Sequence, residues 1–453
     1  MRPIEALANA LPDARVLTDP DVIDSYARDR TFLEPGKPLG VVLAASRADV
    51  ATTLRWASEH RVPVVPRGGG TGLAGAAVAG DGAIVLSLAR MTAIRELSPA
   101  DEIAVVEAGV ITADLDRAAR AHGLMYAPDP SSYEISTIGG NLATNAGGLR
   151  CVKYGVTRDS TLGLEVVLAD GRILDTGRRT MKGVTGYDLT GLFVGSEGTL
   201  GVITAATVRL RRAPAGPPAT FAAEFGSLQD AGAAVTAIMA AGCQPSLMEL
   251  LDRATLKAID DWRGIGLEAG TQAMLIGQSD AADGARVAAR MERICVENGA
   301  SFVAVSSSPQ ETEELIGLRR LAYDAKERLG ACLVEDVCVP RSVLPDMIGA
   351  IEAAAARHGV TICTVAHAGD GNLHPVFIFD RGLPEPPPRV WAAADEVFTR
   401  ALELGGTLTG EHGVGLLKQR WLALETGPVA AEVQRGIKAV FDPLGILNPG
   451  KAI

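Results

Sequence analysis

The ten residues Pro66-Arg67-Gly68-Gly69-Gly70-Thr71-Gly72-Leu73-Ala74-Gly75 constrain the fold of this chain more than any other stretch. They contain a literal G-x-G-x-x-G at Gly70, Gly72 and Gly75, preceded by the strand-like run Val62-Pro63-Val64-Val65. In a Rossmann domain that fingerprint must open a crossover helix. Here Ala76 to Gly82 carries two further glycines and leads at once into Ile84-Val85-Leu86-Ser87-Leu88, a second strand-like run. No room is left for a helix, so a Rossmann domain is excluded. Consecutive glycines can still turn successive backbone N–H groups inward around an anion, which makes the loop a phosphate cradle. The bland alternative is a glycine-rich turn that binds nothing.

Four later stretches bear on that choice. Pro128-Asp129-Pro130-Ser131-Ser132, Ile138-Gly139-Gly140-Asn141-Leu142-Ala143-Thr144-Asn145-Ala146-Gly147-Gly148 and Tyr154-Gly155 have little to pack, yet suit close backbone approach to a large planar ligand with a pyrophosphate tail. Gly195-Ser196-Glu197-Gly198-Thr199-Leu200-Gly201-Val202-Ile203-Thr204 follows in the same style.

A different chemistry is written in His367-Ala368-Gly369-Asp370-Gly371-Asn372-Leu373-His374 and the distant pair Glu411-His412. Zn, Mn and Fe favour imidazole nitrogen plus carboxylate oxygen, and a catalytic ion needs few protein ligands. His367, His374 and Glu411 form such a set, with Zn favoured and Mn or Fe as alternatives. Gly369-Asp370-Gly371 disfavours a helix, so the ligands would converge from a turn and the strand after it. Histidines in proteins are more often surface or hydrogen-bonded structural groups; clustering in glycine-rich polar segments is what singles these out.

On these motifs the chain resembles FAD flavoproteins of the vanillyl-alcohol-oxidase type, within them the group of D-lactate dehydrogenases, glycolate oxidase flavin subunits and D-2-hydroxyglutarate dehydrogenases. The resemblance runs from about residue 20 to Leu447-Asn448-Pro449-Gly450-Lys451. It implies an α+β fold: a two-part FAD-binding domain over 1–213, a substrate cap with an antiparallel sheet over 220–407, and a C-terminal segment, 408–453, that returns to the FAD domain. It also implies that Arg67, Gly68, Gly69, Gly70, Thr71, Gly72 and Leu73 wrap the FAD pyrophosphate. Pro128, Ser131, Gly139, Gly140, Asn141, Thr144, Asn145, Gly147, Gly148, Tyr154 and Gly155 would line the flavin and its ribityl chain; Glu197, Gly198, Val202 and Ile203 would meet the adenosine end, with Asn448 also at the cofactor. The glycine loop has no His or Cys, so FAD would be held without a covalent link.

The same resemblance implies that a 2-hydroxy acid chelates the metal, His412 accepts its hydroxyl proton, and Arg319 in Leu318-Arg319-Arg320-Leu321 pairs with the carboxylate. Arg320 is an alternative anchor, a solvated helix face the bland reading of both. Lys418 reads as an ordinary surface lysine. Members that use dicarboxylates place polar groups where this chain has Tyr323, Val334 and Val376, which favours a monocarboxylate such as D-lactate. The alternatives are a D-2-hydroxyglutarate dehydrogenase and the flavin subunit of a multi-protein glycolate oxidase.

Composition sets the limits. At 453 residues and 47% apolar the chain suggests more than one globular core, and a net charge of -11 argues against a nucleic-acid backbone as partner. Met1 to Glu5 lacks the apolar core of a signal peptide and no run approaches a membrane span, so a cytoplasmic enzyme is expected. Six scattered cysteines without C-x-x-C offer no iron–sulfur run. Electrons taken by the flavin must then leave to an external acceptor, an electron-transfer flavoprotein, a cytochrome or a quinone. A homodimer is the other partner expected.

Local signals place elements. Ser46-Arg47-Ala48-Asp49 is a capping box opening a helix to about His60, Asp170-Gly171 turns a hairpin within Val166 to Leu174, and the prolines at 214, 217 and 218 mark a domain boundary. Helices are expected at 283–298, 310–328 and 342–357, alternating with strands such as Ala273-Met274-Leu275-Ile276. Pro384 to Pro388 reads as an exposed loop.

Overall fold

The computed structural model describes residues 3–11, 15–306 and 308–453; Met1 and Arg2, part of the stretch read for a leader, lie outside them. The chain forms two compact units, one of Met1–Gly148, Gly155–Ala213 and Glu411–Ile453, the other of Leu149–Tyr154 and Pro214–Gly410.

The first unit holds, among the described residues, two larger sheets and a two-stranded pair of Leu124–Met125 with Arg211–Arg212. In the smaller of the two sheets, Arg15–Leu17 pairs antiparallel with Gly40–Leu43, which runs parallel to Ile84–Ser87, itself parallel to Val64–Arg67. Helix Arg47–His60 connects Gly40–Leu43 to Val64–Arg67, and its expected capping box is present: Ser46 Oγ accepts from Asp49 N–H while the Asp49 carboxylate accepts from the Ser46 N–H. From Val64–Arg67 to Ile84–Ser87 the chain crosses without a helix, through the glycine loop, as the lack of room required. The exposed edge of Val64–Arg67 is closed by the C-terminus. Val64 N–H donates to Ile446 O and Asn448 N–H donates to Val64 O, both at 2.8 Å, so the tail acts as a further strand on that edge.

The second sheet of this unit is antiparallel, in the order Ile94–Ser98, Ile103–Glu107, Val202–Arg209, Thr161–Val167, Ile173–Gly177. The predicted hairpin is its last pair, with Val167 opposite Ile173 and Gly171 at φ 79° in the turn.

The second unit is built on one antiparallel sheet. Its path is Ala300–Val305, Ala219–Phe225, Ala273–Ser279, Leu247–Asp252, Thr361–His367, Asn372–Phe379, Ala331–Val334, with Val337–Cys338 also on Asn372–Phe379. The expected helices are Gly284–Glu297, Pro309–Leu329 and Leu344–His358. Leu315, Leu318, Leu321, Ala322 and Ala325 seat Pro309–Leu329 on the apolar core formed with Leu251, Met274, Ile276 and Val365. Leu149–Tyr154, read from sequence as part of the first unit, belongs here: Lys153 and the Tyr154 hydroxyl both bond to the Asp280 carboxylate. Among the described residues no helix is long and apolar enough to cross a membrane. None of the six cysteines is joined in a disulfide.

Candidate active site

In the first unit the glycine segments lie against each other because only glycine fits. A Cβ on Gly68 would come 2.4 Å from Thr137 Oγ1, and one on Gly69 would come 2.6 Å from the Ile135 carbonyl. Thr137 in turn caps helix Ile138–Thr144 by accepting the Gly140 N–H at 3.2 Å. A Cβ on Gly148, at φ 151°, would lie 2.4 Å from the Asp129 carbonyl, which sets Asp129 against Gly148. Thus the backbone of 68–70, 129 and 139–148 is gathered in one region, with Gly72 left open but for Asp29 Oδ2 at 3.6 Å. That is a cradle of the kind a dinucleotide needs.

Several polar side chains assigned to the cofactor are spent on the protein itself. Arg67 donates to the Arg28 carbonyl and lies over the Tyr26 ring at 5.7 Å; burial holds its guanidinium pKa below the ordinary value. Asn141 Nδ2 donates to Thr112 Oγ1 at 2.7 Å, Thr144 Oγ1 to the Gly140 carbonyl at 3.3 Å, and Asn145 Oδ1 accepts the Arg158 N–H at 2.9 Å. Asn448 Nδ2 donates to the Ala76 and Glu197 carbonyls at 2.9 and 2.7 Å, tying two glycine segments to the tail. Tyr154 belongs to the second unit.

Glu197 has the most demanding position. It sits at φ 52°, 5% exposed, and its carboxylate oxygens accept Val414 N–H at 2.7 Å and Gly415 N–H at 2.8 Å. Burial pushes its pKa up to about 7, against the pull of those N–H groups and of Lys418 and Lys451. Gly415 is pressed onto the glycine loop: a Cβ there would lie 1.9 Å from the Ala74 carbonyl, which accepts Leu416 N–H at 2.8 Å. The loop that follows His412 is therefore fastened from both sides. His412 Nε2 lies 3.9 Å from Glu411 Oε1, and Glu411 is seated against Gly147, where a Cβ would come 2.3 Å from Oε2. Lys418 is 1% exposed, so the surface reading of it is corrected; it is part of this buried charged group.

In the second unit the two histidines are brought together by a hairpin. His367 ends strand Thr361–His367 and His374 lies on Asn372–Phe379, opposite Val365, two residues from His367 and so on the same face. Their rings are 5.0 Å apart, edge to face at 84°. His367 thus lies on the strand before the turn, where the sequence pointed to the turn itself. The turn needs Gly371 at φ 88°, since a Cβ there would lie 2.1 Å from the Val339 carbonyl.

Beside them is a residue the sequence reading missed. Glu249 lies directly opposite His367 across the neighbouring strand, with no exposed surface. Its Oε1 is 2.6 Å from His367 Nδ1 and its Oε2 accepts from Arg319 Nε at 2.6 Å. The available signal was a carboxylate inside the apolar run Leu247-Met248-Glu249-Leu250-Leu251. Arg320 pairs with Glu313 on the exposed side of the same helix, which leaves Arg319 as the inward-facing member of the pair. Two turns on, Lys326 is also fully buried, its pKa lowered to about 8 by burial, with Asp252 among the charges that pull it back up.

The residue before Glu411 is tied to this hairpin. Gly410 N–H donates to the buried Asp336 carboxylate at 2.6 Å, and a Cβ on Gly410 would come 2.6 Å from the Asn372 side chain.

This geometry is matched by kinship. The chain matches the FAD binding domain over residues 38–177 and the family of FAD linked oxidases, C-terminal domain, over 218–452. A "Glycolate oxidase subunit GlcD" of Bacillus subtilis is 43% identical over 94% of this chain and 91% of its own. A "D-lactate dehydrogenase" of Archaeoglobus fulgidus is 36% identical over 91% of each. In structure the chain is similar to p-cresol methylhydroxylase, TM-score 0.80 at 18% identity, covering 100% of this chain and 96% of that one. A 4-ethylphenol oxidase from Gulosibacter chungangensis gives TM-score 0.79 at 18% identity over 99% and 96%. The fold is that of the vanillyl-alcohol-oxidase type of flavoprotein. The protein belongs to the FAD-linked oxidase family and is an FAD-dependent oxidoreductase.

Proposed function

We propose that this enzyme oxidises a D-2-hydroxy acid, D-lactate or a monocarboxylate like it, to the 2-oxo acid, with a divalent metal held by His367, His374 and Glu411. The observation that carries the reading is the hairpin pair His367 and His374, on one face and 5.0 Å apart, with Arg319 reaching the same Glu249 that His367 does. Two imidazoles and a carboxylate suit Zn, Mn or Fe, and Glu411 directly follows Gly410, which is fixed against Asn372 of that hairpin. The relatives named as D-lactate dehydrogenases and glycolate oxidase subunits support the substrate class.

The metal, when bound, supplies Lewis acidity at the substrate hydroxyl. FAD, when bound without a covalent link, supplies the acceptor for the C2 hydride at N5. Arg319 engages Glu249 through Nε and would pair with the substrate carboxylate through its Nη groups, fixing C2. His412 takes the hydroxyl proton as the hydride leaves C2, so the product is the 2-oxo acid. Glu197 keeps His412 in place through the N–H groups of Val414 and Gly415. Val334 faces Val376 across adjacent strands, an apolar pair where a second carboxylate would need polar partners, which favours a monocarboxylate. Electrons leave to an electron-transfer flavoprotein, a cytochrome or a quinone.

Anaerobic flavin bleaching by a panel of D- and L-2-hydroxy acids tests this. D-lactate should bleach the flavin faster than its L isomer and faster than D-2-hydroxyglutarate; no bleaching by any 2-hydroxy acid ends the proposal. A second reading, the flavin subunit of a larger oxidase, is favoured by the "subunit" in the relative's name. Failure of the purified chain alone to turn over with an artificial acceptor dye would select it.

A further inference from the structure

Glu249 is a fully buried carboxylate in a strand whose neighbours in sequence are apolar, Leu247, Met248, Leu250 and Leu251. An isolated charge there would be costly; it is sustained by two donors, one on each oxygen. His367 Nδ1 is 2.6 Å from Oε1 and Arg319 Nε is 2.6 Å from Oε2. A carboxylate only accepts, so His367 donates from Nδ1–H, and in its neutral form it presents the lone pair of Nε2. The arrangement is built in, since Glu249 and His367 are register partners on adjacent strands and Arg319 descends from the helix packed over them.

We propose that Glu249 is a positioning residue that couples the metal ligand His367 to the carboxylate anchor Arg319, selecting the imidazole tautomer that binds metal and holding the guanidinium beside it. The inference rests on the metal reading above and goes beyond it by assigning a residue that touches neither metal nor substrate. One carboxylate serving two donors cannot be replaced by an amide. In Glu249→Gln the amide oxygen can accept from one donor, while the amide N–H₂ opposes the other. Either His367 loses its tautomer or Arg319 loses its anchor.

The test is metal affinity, measured by titrating the metal-stripped flavoprotein with Zn, followed by FAD content. Glu249→Gln should bind Zn roughly 10–100-fold more weakly than wild type, the usual cost of losing the carboxylate behind a histidine ligand, with its FAD content unchanged. Arg320→Ala, on the exposed side of the same helix, should bind as wild type does. Wild-type protein that binds no Zn overturns the metal reading and this inference with it. Wild type that binds Zn while Glu249→Gln binds equally overturns this inference alone. If Glu249→Gln does not fold, nitrogen NMR of imidazole-labelled, metal-free wild type, taken where His367 is neutral, decides: the Nδ1–H tautomer supports the assignment, and the Nε2–H tautomer overturns it.

Discussion

Replacing Glu197 by Gln should stabilise the protein at alkaline pH, although it deletes a carboxylate with two hydrogen bonds. In the folded chain burial raises the Glu197 pKa from 4.5 to about 7. The folded state therefore holds its proton over a range in which the unfolded state has released it. Where the unfolded state binds fewer protons, stability falls as pH rises. The loss starts near the unfolded pKa of 4.5 and is complete just above 7. A shift of that size is worth roughly 3 kcal/mol, of which about 2.5 kcal/mol falls between pH 5 and pH 8. Gln does not titrate and escapes this loss. Its own defect, an amide N–H₂ facing the Gly415 or Val414 N–H, is shared at low pH by the protonated carboxyl, so the two proteins should be close at pH 5. The assay is the thermal midpoint of flavin release, followed by flavin fluorescence in both proteins from pH 5 to pH 8. At roughly 2–4 °C per kcal/mol, the gap in midpoint should widen by about 5–10 °C in favour of Glu197→Gln. A gap that stays constant within about 2 °C over that range, or that widens in favour of wild type, refutes the argument that desolvation outweighs the two N–H bonds and the nearby lysines.

His412→Asn should retain FAD and metal but lower the plateau of single-turnover flavin reduction by about a hundredfold to ten-thousandfold, the usual cost of a lost general base; a wild-type plateau would exclude His412 as the base. Arg319→Lys should instead shift the midpoint of that curve to higher substrate concentration, because lysine keeps the charge but not the planar fork; an unchanged midpoint would remove Arg319 from substrate binding. Chelation, or His374→Ala, should abolish substrate-driven bleaching while the flavin stays bound; full activity with less than about a tenth of an equivalent of metal would refute the ligand set. Gly415→Ala should reduce FAD retention after gel filtration, since a Cβ 1.9 Å from the Ala74 carbonyl forces the tail off the glycine loop; full retention would show that the tail is not needed there.

How much of this was legible in the sequence follows from how local each cause is. The capping box at Ser46, the turn at Gly171 and the missing crossover helix after Gly75 depend on residues a few positions apart, and they read directly. The nearness of His367 and His374 has an equally local cause, because a hairpin brings together residues seven apart. Glu249 could not be paired with His367 by any local rule: 118 positions separate them, and only the strand order of the second sheet makes them neighbours. Lys418 was misread for a related reason. The run Gly415-Leu416-Leu417-Lys418 looks like an ordinary loop ending in an exposed charge, and nothing nearby in sequence announces Glu197, 221 positions earlier, as the buried carboxylate that its charge would meet.

A physical rule separates the two groups. Buried charges are tolerated only in company, so each implies a partner, and the partner is set by tertiary structure and not by spacing. Glycines at closest approach carry the same dependence on the fold: Gly147 admits Glu411, and Gly415 admits the Ala74 carbonyl, across hundreds of positions. The chain therefore shows where small residues and charges are concentrated, while the structure shows which of them are mutually required. On that basis the residues assigned to FAD by resemblance divide in two. Asn141, Asn448 and Glu197 use their side-chain groups to hold the protein's own backbone or side chains, so their substitution should disturb the shape of the cradle first. Gly68, Gly69 and Gly72 have no side chain, so any part they take in holding a pyrophosphate would fall to their backbone N–H groups.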